Sequence, residues 1–98
     1  MPPRITPNGA LVLQALAGDH RYGFEIMDFT GLASGTVYPI LRRFEELGLV
    51  TSRWEERRTA HPERRPRRRY YELTGAGREG LRDAADLFAT YKRVFGEV

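Results

Sequence analysis

Two groups of side chains in this 98-residue chain have the types and spacing to hold an anion. The first is Arg53, Arg57, Arg58, Arg64, Arg65, Arg67, Arg68 and Arg69, opposed in the same stretch only by Glu55, Glu56 and Glu63. Eight arginines against three glutamates give residues 53–69 a charge of +5. Eight basic against ten acidic residues leave the rest at −2, so the net +3 conceals a localised cation. A duplex phosphate backbone is its natural counterpart, ahead of an acidic protein or a membrane surface. The second group is Ser34, Gly35, Thr36, Tyr38, Pro39, Arg42 and Arg43. Arg42 or Arg43 can meet a guanine edge or a phosphate, and Tyr38 and Thr36 a phosphate or a thymine methyl. The amides near Gly35 can meet a phosphate with no side chain in the way.

Catalytic chemistry has no comparable set. There is no phosphate-binding glycine loop, no nucleophile elbow and no metal-ligand spacing. The chain has no cysteine, hence no disulfide, thiolate zinc site or thiol nucleophile. His20 reads as an ordinary polar loop residue, and His61 and Glu63 lie in the arginine-rich stretch without a third ligand. No enzyme, cofactor or metal is therefore expected. No apolar run approaches the ~18 residues of a membrane span, and the N-terminus lacks a signal-peptide pattern. A cytoplasmic protein with no membrane partner is the expectation.

The elements that must position these groups follow from periodicity. Val37, Ile40, Leu41, Phe44 and Leu47 recur at helical spacing and predict a helix over residues 34–47, with the second group on its wet face. Ser34 is the expected N-cap and Gly48 the C′ residue. Arg42 and Glu46 can alternatively form an i,i+4 pair. Upstream, residues 31–33 (GLA) make a short link to a helix from Tyr22 towards Thr30, with Ile26, Met27 and Phe29 turned inward. That is a helix-turn-helix. In its first turn Gly23 lets another backbone approach closely or merely lowers helix stability. A first helix begins with Thr6 as cap and Pro7 at its first position and ends near Gly18, behind a loose proline-containing arm, residues 1–5.

Downstream, residues 49–55 alternate as a strand, residues 57–66 have the charge and prolines of a hairpin loop, and residues 67–73 form a second strand. Two strands with a basic tip after a helix-turn-helix make a wing, carrying Arg57, Arg58, Arg64, Arg65, Arg67 and Arg68. Arg65, as a phosphate contact, is expected to contribute to the salt dependence of binding. Aromatics on short strands ordinarily bury, which assigns Trp54 and Tyr70–Tyr71 to the core, a phosphate-touching Tyr70 hydroxyl being the alternative. Thr74 caps a last helix to about Phe95. Its apolar positions, among them Leu81, Ala84, Leu87, Phe88, Tyr91 and Phe95, form a face too wide for one small domain to cover. A second copy of the chain would cover it.

The segments YGFEIM (22–27), SGTVYPILRRFEELGLV (34–50) and RRPRRRYYELTGAGREGL (64–81) resemble the PadR-like family of bacterial winged-helix transcriptional regulators. The resemblance implies a homodimeric DNA-binding repressor. Its groove-facing tyrosine and proline fall on Tyr38 and Pro39, its helix-start glycine on Gly35, its basic wing on residues 57–68 and its dimerising helix on residues 75–95. The second helix is shorter than in many members, and the C-terminal part is a single helix, as in the smaller subfamily. Some small members bind planar aromatic molecules between subunits. Phe88, Tyr91 and Phe95 are the candidates for such an effector, although dimer or core packing is their expected job.

The expected architecture is thus mainly α with a small antiparallel β-hairpin (α+β): a winged helix-turn-helix over residues 1–73 and a C-terminal dimerisation helix over residues 74–98. Two recognition helices would enter successive major grooves of a pseudo-palindromic operator, roughly 34 Å apart. A protein-interaction module on the same fold, and a ligand sensor with a secondary DNA role, are the rival readings.

Overall fold

The computed structural model describes residues 4–60, 62 and 64–96. Their order is α1 (Pro7–Ala17), α2 (Gly23–Thr30), α3 (Ser34–Glu46), β1 (Val50–Trp54), the one-turn α4 (Arg57–Ala60), β2 (Arg69–Leu73) and α5 (Gly75–Phe95). The N-terminal arm up to Pro3, His61 and Glu63 lie outside the described residues.

Local chemistry sets the ends of the helices. Thr6 accepts a 3.1 Å hydrogen bond from the Gly9 amide ahead of Pro7. Gly31 closes α2 in the left-handed conformation (φ +74°), its N–H reaching the Met27 carbonyl at 2.8 Å. At the end of α3 the Gly48 amide donates to Glu45 and the Leu49 amide to Phe44, a Schellman closure with Gly48 at φ +74°. The cap of α3 differs from expectation. Ala33, not Ser34, holds the cap position with no side-chain bond, and its carbonyl accepts the Thr36 and Val37 amides. Pro39 lies in the second turn and removes the N–H that would reach the Gly35 carbonyl, leaving an acceptor on the exposed side.

The core gathers Val12, Leu13, Ala15 and Leu16 of α1, Ile26 of α2, Val37, Leu41 and Phe44 of α3, and Leu49, Val50 and Tyr71. Ile40 and Leu81 pack partly buried against it. Three apolar side chains depart from their expected burial. Leu47 sits beyond the last turn of α3 and is 43% exposed. Phe29, expected to turn inward, is also exposed, its ring stacked on that of the loop residue His20 at 4.5 Å. Trp54 is 54% exposed because β1 has run past the edge of the core by its fifth residue.

The strands pair antiparallel in the register Val50↔Leu73 through Trp54↔Arg69. Tyr22, expected to begin the second helix, instead bridges Tyr70, and the Tyr71 amide donates to the Arg21 carbonyl at 2.8 Å, so the segment before α2 adds a partial third strand. The second strand starts at Arg69 rather than Arg67, and the tip contains α4 where a loop was expected. The first turns of α5 belong to the core. The Thr74 hydroxyl accepts the Gly77 amide and donates to the Gly48 carbonyl, and Gly77 lies against the Leu49 carbonyl. Leu81 and Ala84, expected at a dimer seam, instead pack within their own chain.

Candidate nucleic-acid interface

The outer face of α3 carries Ser34, Gly35, Tyr38, Pro39, Arg42 and Arg43, all exposed, with Thr36 half-buried beside them. Neither Arg42 nor Arg43 makes an ion pair among the described residues, so the Arg42–Glu46 alternative is not formed. Tyr38 is only 43% exposed because its phenol lies over Gly23 at the start of α2. A Cβ on Gly23 would overlap the hydroxyl. Two separate sequence motifs thus form one contact, which fixes the tyrosine at the helix-turn-helix junction.

The wing is organised around one carboxylate. Glu55 is 5% exposed and accepts from both terminal nitrogens of Arg65, one at 2.9 Å. It also accepts from the Tyr70 hydroxyl at 2.9 Å and the Arg68 amide at 3.4 Å. The Arg65 hydrogen bond is the chief cause that holds its pKa near 2, from an ordinary 4.5, with Tyr70 and the Arg68 amide assisting against the opposing effect of burial. Arg65 therefore spends its guanidinium on Glu55, a correction to its expected part as a phosphate contact. Arg58 pairs with Glu56 at 2.7 Å on the open surface. Arg57, Arg64 and Arg67 are exposed, and Arg57, Arg58, Arg65 and Arg67 with Ala60 line a cleft of about 400 Å³. Arg68 is half-buried, its guanidinium 4.2 Å from the centre of the Tyr22 ring, and Arg53 lies 5.3 Å from that of Tyr70. These aromatic seats hold the arginines close to the hairpin.

A second tie joins wing to helix. Ser52 donates to Glu45 of α3 and accepts from Arg69 at 2.8 and 3.0 Å, while Arg69 reaches Glu45 at 3.4 Å. Sequence reasoning passed over Glu45, Ser52 and Arg69 as a unit, since only the strand register brings them together.

These roles separate in a salt series. Arg67→Ala is expected to flatten the slope of log affinity against log salt by about 0.9, one phosphate's worth. Arg65→Ala should leave that slope nearly unchanged and instead uncover Glu55. The sign follows from the depressed pKa. The clasp contributes stability above the unfolded value near 4.5, and that contribution is lost as pH falls towards 2. Urea midpoints taken between pH 5 and pH 2.5 should fall less steeply in Arg65→Ala than in wild type.

A three-residue turn between α2 and α3, an exposed helix face bearing two arginines without ion pairs among the described residues, and a braced basic hairpin define a winged helix-turn-helix DNA-binding domain. The chain belongs to the PadR-like family of transcriptional regulators, whose sequence model matches residues 12–83. Its members are regulators of transcription, not enzymes. A PadR family transcription regulator from hypervirulent Clostridium difficile has a similar structure, with 26% identity over 91% of this chain and 94% of that one and a TM-score of 0.79. A transcriptional regulator from Clostridium thermocellum shares the fold at 23% identity, over 91% and 92% of the two chains, with a TM-score of 0.72. So does Bordetella bronchiseptica BpsR, whose DNA binding is regulated by 6-hydroxynicotinic acid, at 18% identity, 96% and 67% coverage and a TM-score of 0.74. Comparison with curated proteins gave no significant match. Among the described residues no helix is long and apolar enough to cross a membrane, and no group of acidic residues and histidines could hold a metal ion.

Proposed function

We propose that the protein is a cytoplasmic homodimeric repressor of a pseudo-palindromic operator, in which residues 1–73 read DNA and residues 74–98 join the subunits. The observation that carries the reading face is the exposure of Arg42 and Arg43, without ion pairs among the described residues, on the helix that follows the turn. Each α3 enters a major groove, and the wing arginines hold flanking phosphates or the adjacent minor groove. Bound dimer then obstructs transcription.

Binding of the purified protein to its own upstream DNA, against scrambled duplex across a salt series, tests this. A preference of about a thousandfold or more is expected for operator recognition. Equal and steeply salt-dependent binding to both would favour a protein-interaction module whose arginines merely find phosphate. On the operator, Arg42→Ala is expected to weaken binding by about 1–3 kcal/mol, with little change on scrambled duplex. An unchanged operator affinity would show that Arg42 is not on the reading face.

A planar effector between subunits is a second reading, motivated by the exposed Tyr91 and Phe95 rings, whose centres are 4.5 Å apart. The regulation of BpsR by a small aromatic acid gives the ligand class. Quenching of tyrosine emission on titration with such acids would reveal it.

A further inference from the structure

Trp54 is the chain's single tryptophan, and it stands 54% exposed where an indole normally buries most of its area. Its position is nevertheless held. The guanidinium carbons of Arg67 and Arg69 lie 5.6 and 5.4 Å from its ring centre. Arg69 is itself bound to Ser52 of β1 and Glu45 of α3, so the indole is fixed relative to the recognition helix through three elements. The indole N–H makes no hydrogen bond to any described residue, although a tryptophan offers a donor and nothing else.

A surface with these properties asks for a particular partner. An apolar protein surface would have to strip water from two guanidinium groups to reach the ring. A polyanion with a stacked, deoxyribose-lined flank meets these groups at once: phosphates for Arg67 and the indole N–H, sugar and base edges for the ring face. Resting on the DNA-binding reading, we infer that Trp54 is a DNA-contacting side chain, an aromatic platform on the wing that meets the duplex beside the site read by α3. Phosphate oxygen accepts from its Nε1–H, and Arg67 flanks the same stretch of backbone, while Arg69 holds the indole in place.

Because no other tryptophan is present, its fluorescence reports on this position alone. Labelled duplex from the upstream region is titrated while its anisotropy and the acrylamide accessibility of Trp54 are followed together. The inference expects rising anisotropy with an indole that becomes protected. Trp54→Ala should weaken the same duplex about three- to tenfold with thermal unfolding unchanged. Trp54→Phe, which keeps a ring for the two arginines but has no N–H, should fall between. Binding that leaves Trp54 as open to acrylamide as in the free protein overturns the inference, and so does a Trp54→Ala affinity within about twofold of wild type. In either case the DNA-binding reading stands and the patch is left to an acidic protein. A flat anisotropy with every duplex overturns the DNA-binding reading and this inference with it.

Discussion

Gly77→Ala is expected to destabilise the fold by about 3 kcal/mol, at the upper end of what overpacking a tight site costs. A Cβ at this position would overlap the Leu49 carbonyl oxygen, with the Leu49 carbonyl carbon at 3.0 Å and Leu73 Cδ2 at 3.2 Å. The obstacle is backbone, and it cannot swing aside as the tip of a side chain can. The same carbonyl also accepts the Thr74 amide at 3.0 Å, so moving it loosens the seat of α5 on the turn between α3 and β1. Helix propensity works in the other direction, because alanine is better than glycine inside a helix by up to about 1 kcal/mol. The steric term is larger, and a fall in Tm of roughly 12 °C or more is expected. Gly75→Ala, where nothing lies within 4 Å of the added carbon, is the control, expected within about 1 kcal/mol of wild type on the stabilising side. Equal Tm values for the two variants would mean that α5 does not seat as described.

The difference between these two glycines was not open to a reading of the sequence. Both stand in one run, TGAG, and only contact with a carbonyl 28 positions earlier tells them apart. The same limit applies to Gly23 and Tyr38, each conspicuous in its own motif, with nothing local to say that one leaves space for the other. What was legible is what a helix or turn carries in its own neighbourhood. The stripe Val37–Leu41–Phe44, the Thr6 and Thr74 caps and the Gly48 turn depend on residues no more than seven positions apart. The hairpin was legible as a hairpin, but not its register, so Trp54 was assigned to a core that β1 has already passed. In the arginine cluster, the sequence showed the charge but not its division of labour. Glu55, counted only as one of three opposing charges, proves to be the group around which Arg65, Arg68 and Tyr70 are arranged. The exposed face of α3 was the most legible part of the candidate site, because exposure on an amphipathic helix follows directly from the position of its apolar stripe.

The largest expected effect on DNA binding comes from the far end of α5. Every residue from 85 to 96 is exposed, and that stretch includes Leu87, Phe88, Tyr91, Val94 and Phe95, the first three 63%, 41% and 61% exposed and the last two 64% and 61%. Five large apolar side chains on about 16 Å of helix are more than a monomer ordinarily leaves in water. The near end of the helix is anchored by Gly77, Leu81 and Ala84, so substitutions beyond residue 85 remove no contact with the core. The double variant Leu87→Glu, Tyr91→Glu should therefore keep the wild-type fold and wing. It should place like charges on both sides of the proposed dimer seam and sediment as a monomer where the proposal expects a wild-type dimer. Operator affinity should then fall by about a hundredfold or more, because the second half-site no longer benefits from being bound by a tethered neighbour. Affinity for an isolated half-site should be nearly unchanged, since α3 and the wing are untouched. That pair of measurements separates lost avidity from a damaged reading head. A double variant that remains dimeric would show that the subunits meet elsewhere. A monomeric variant with full operator affinity would show that one subunit reads the whole site alone.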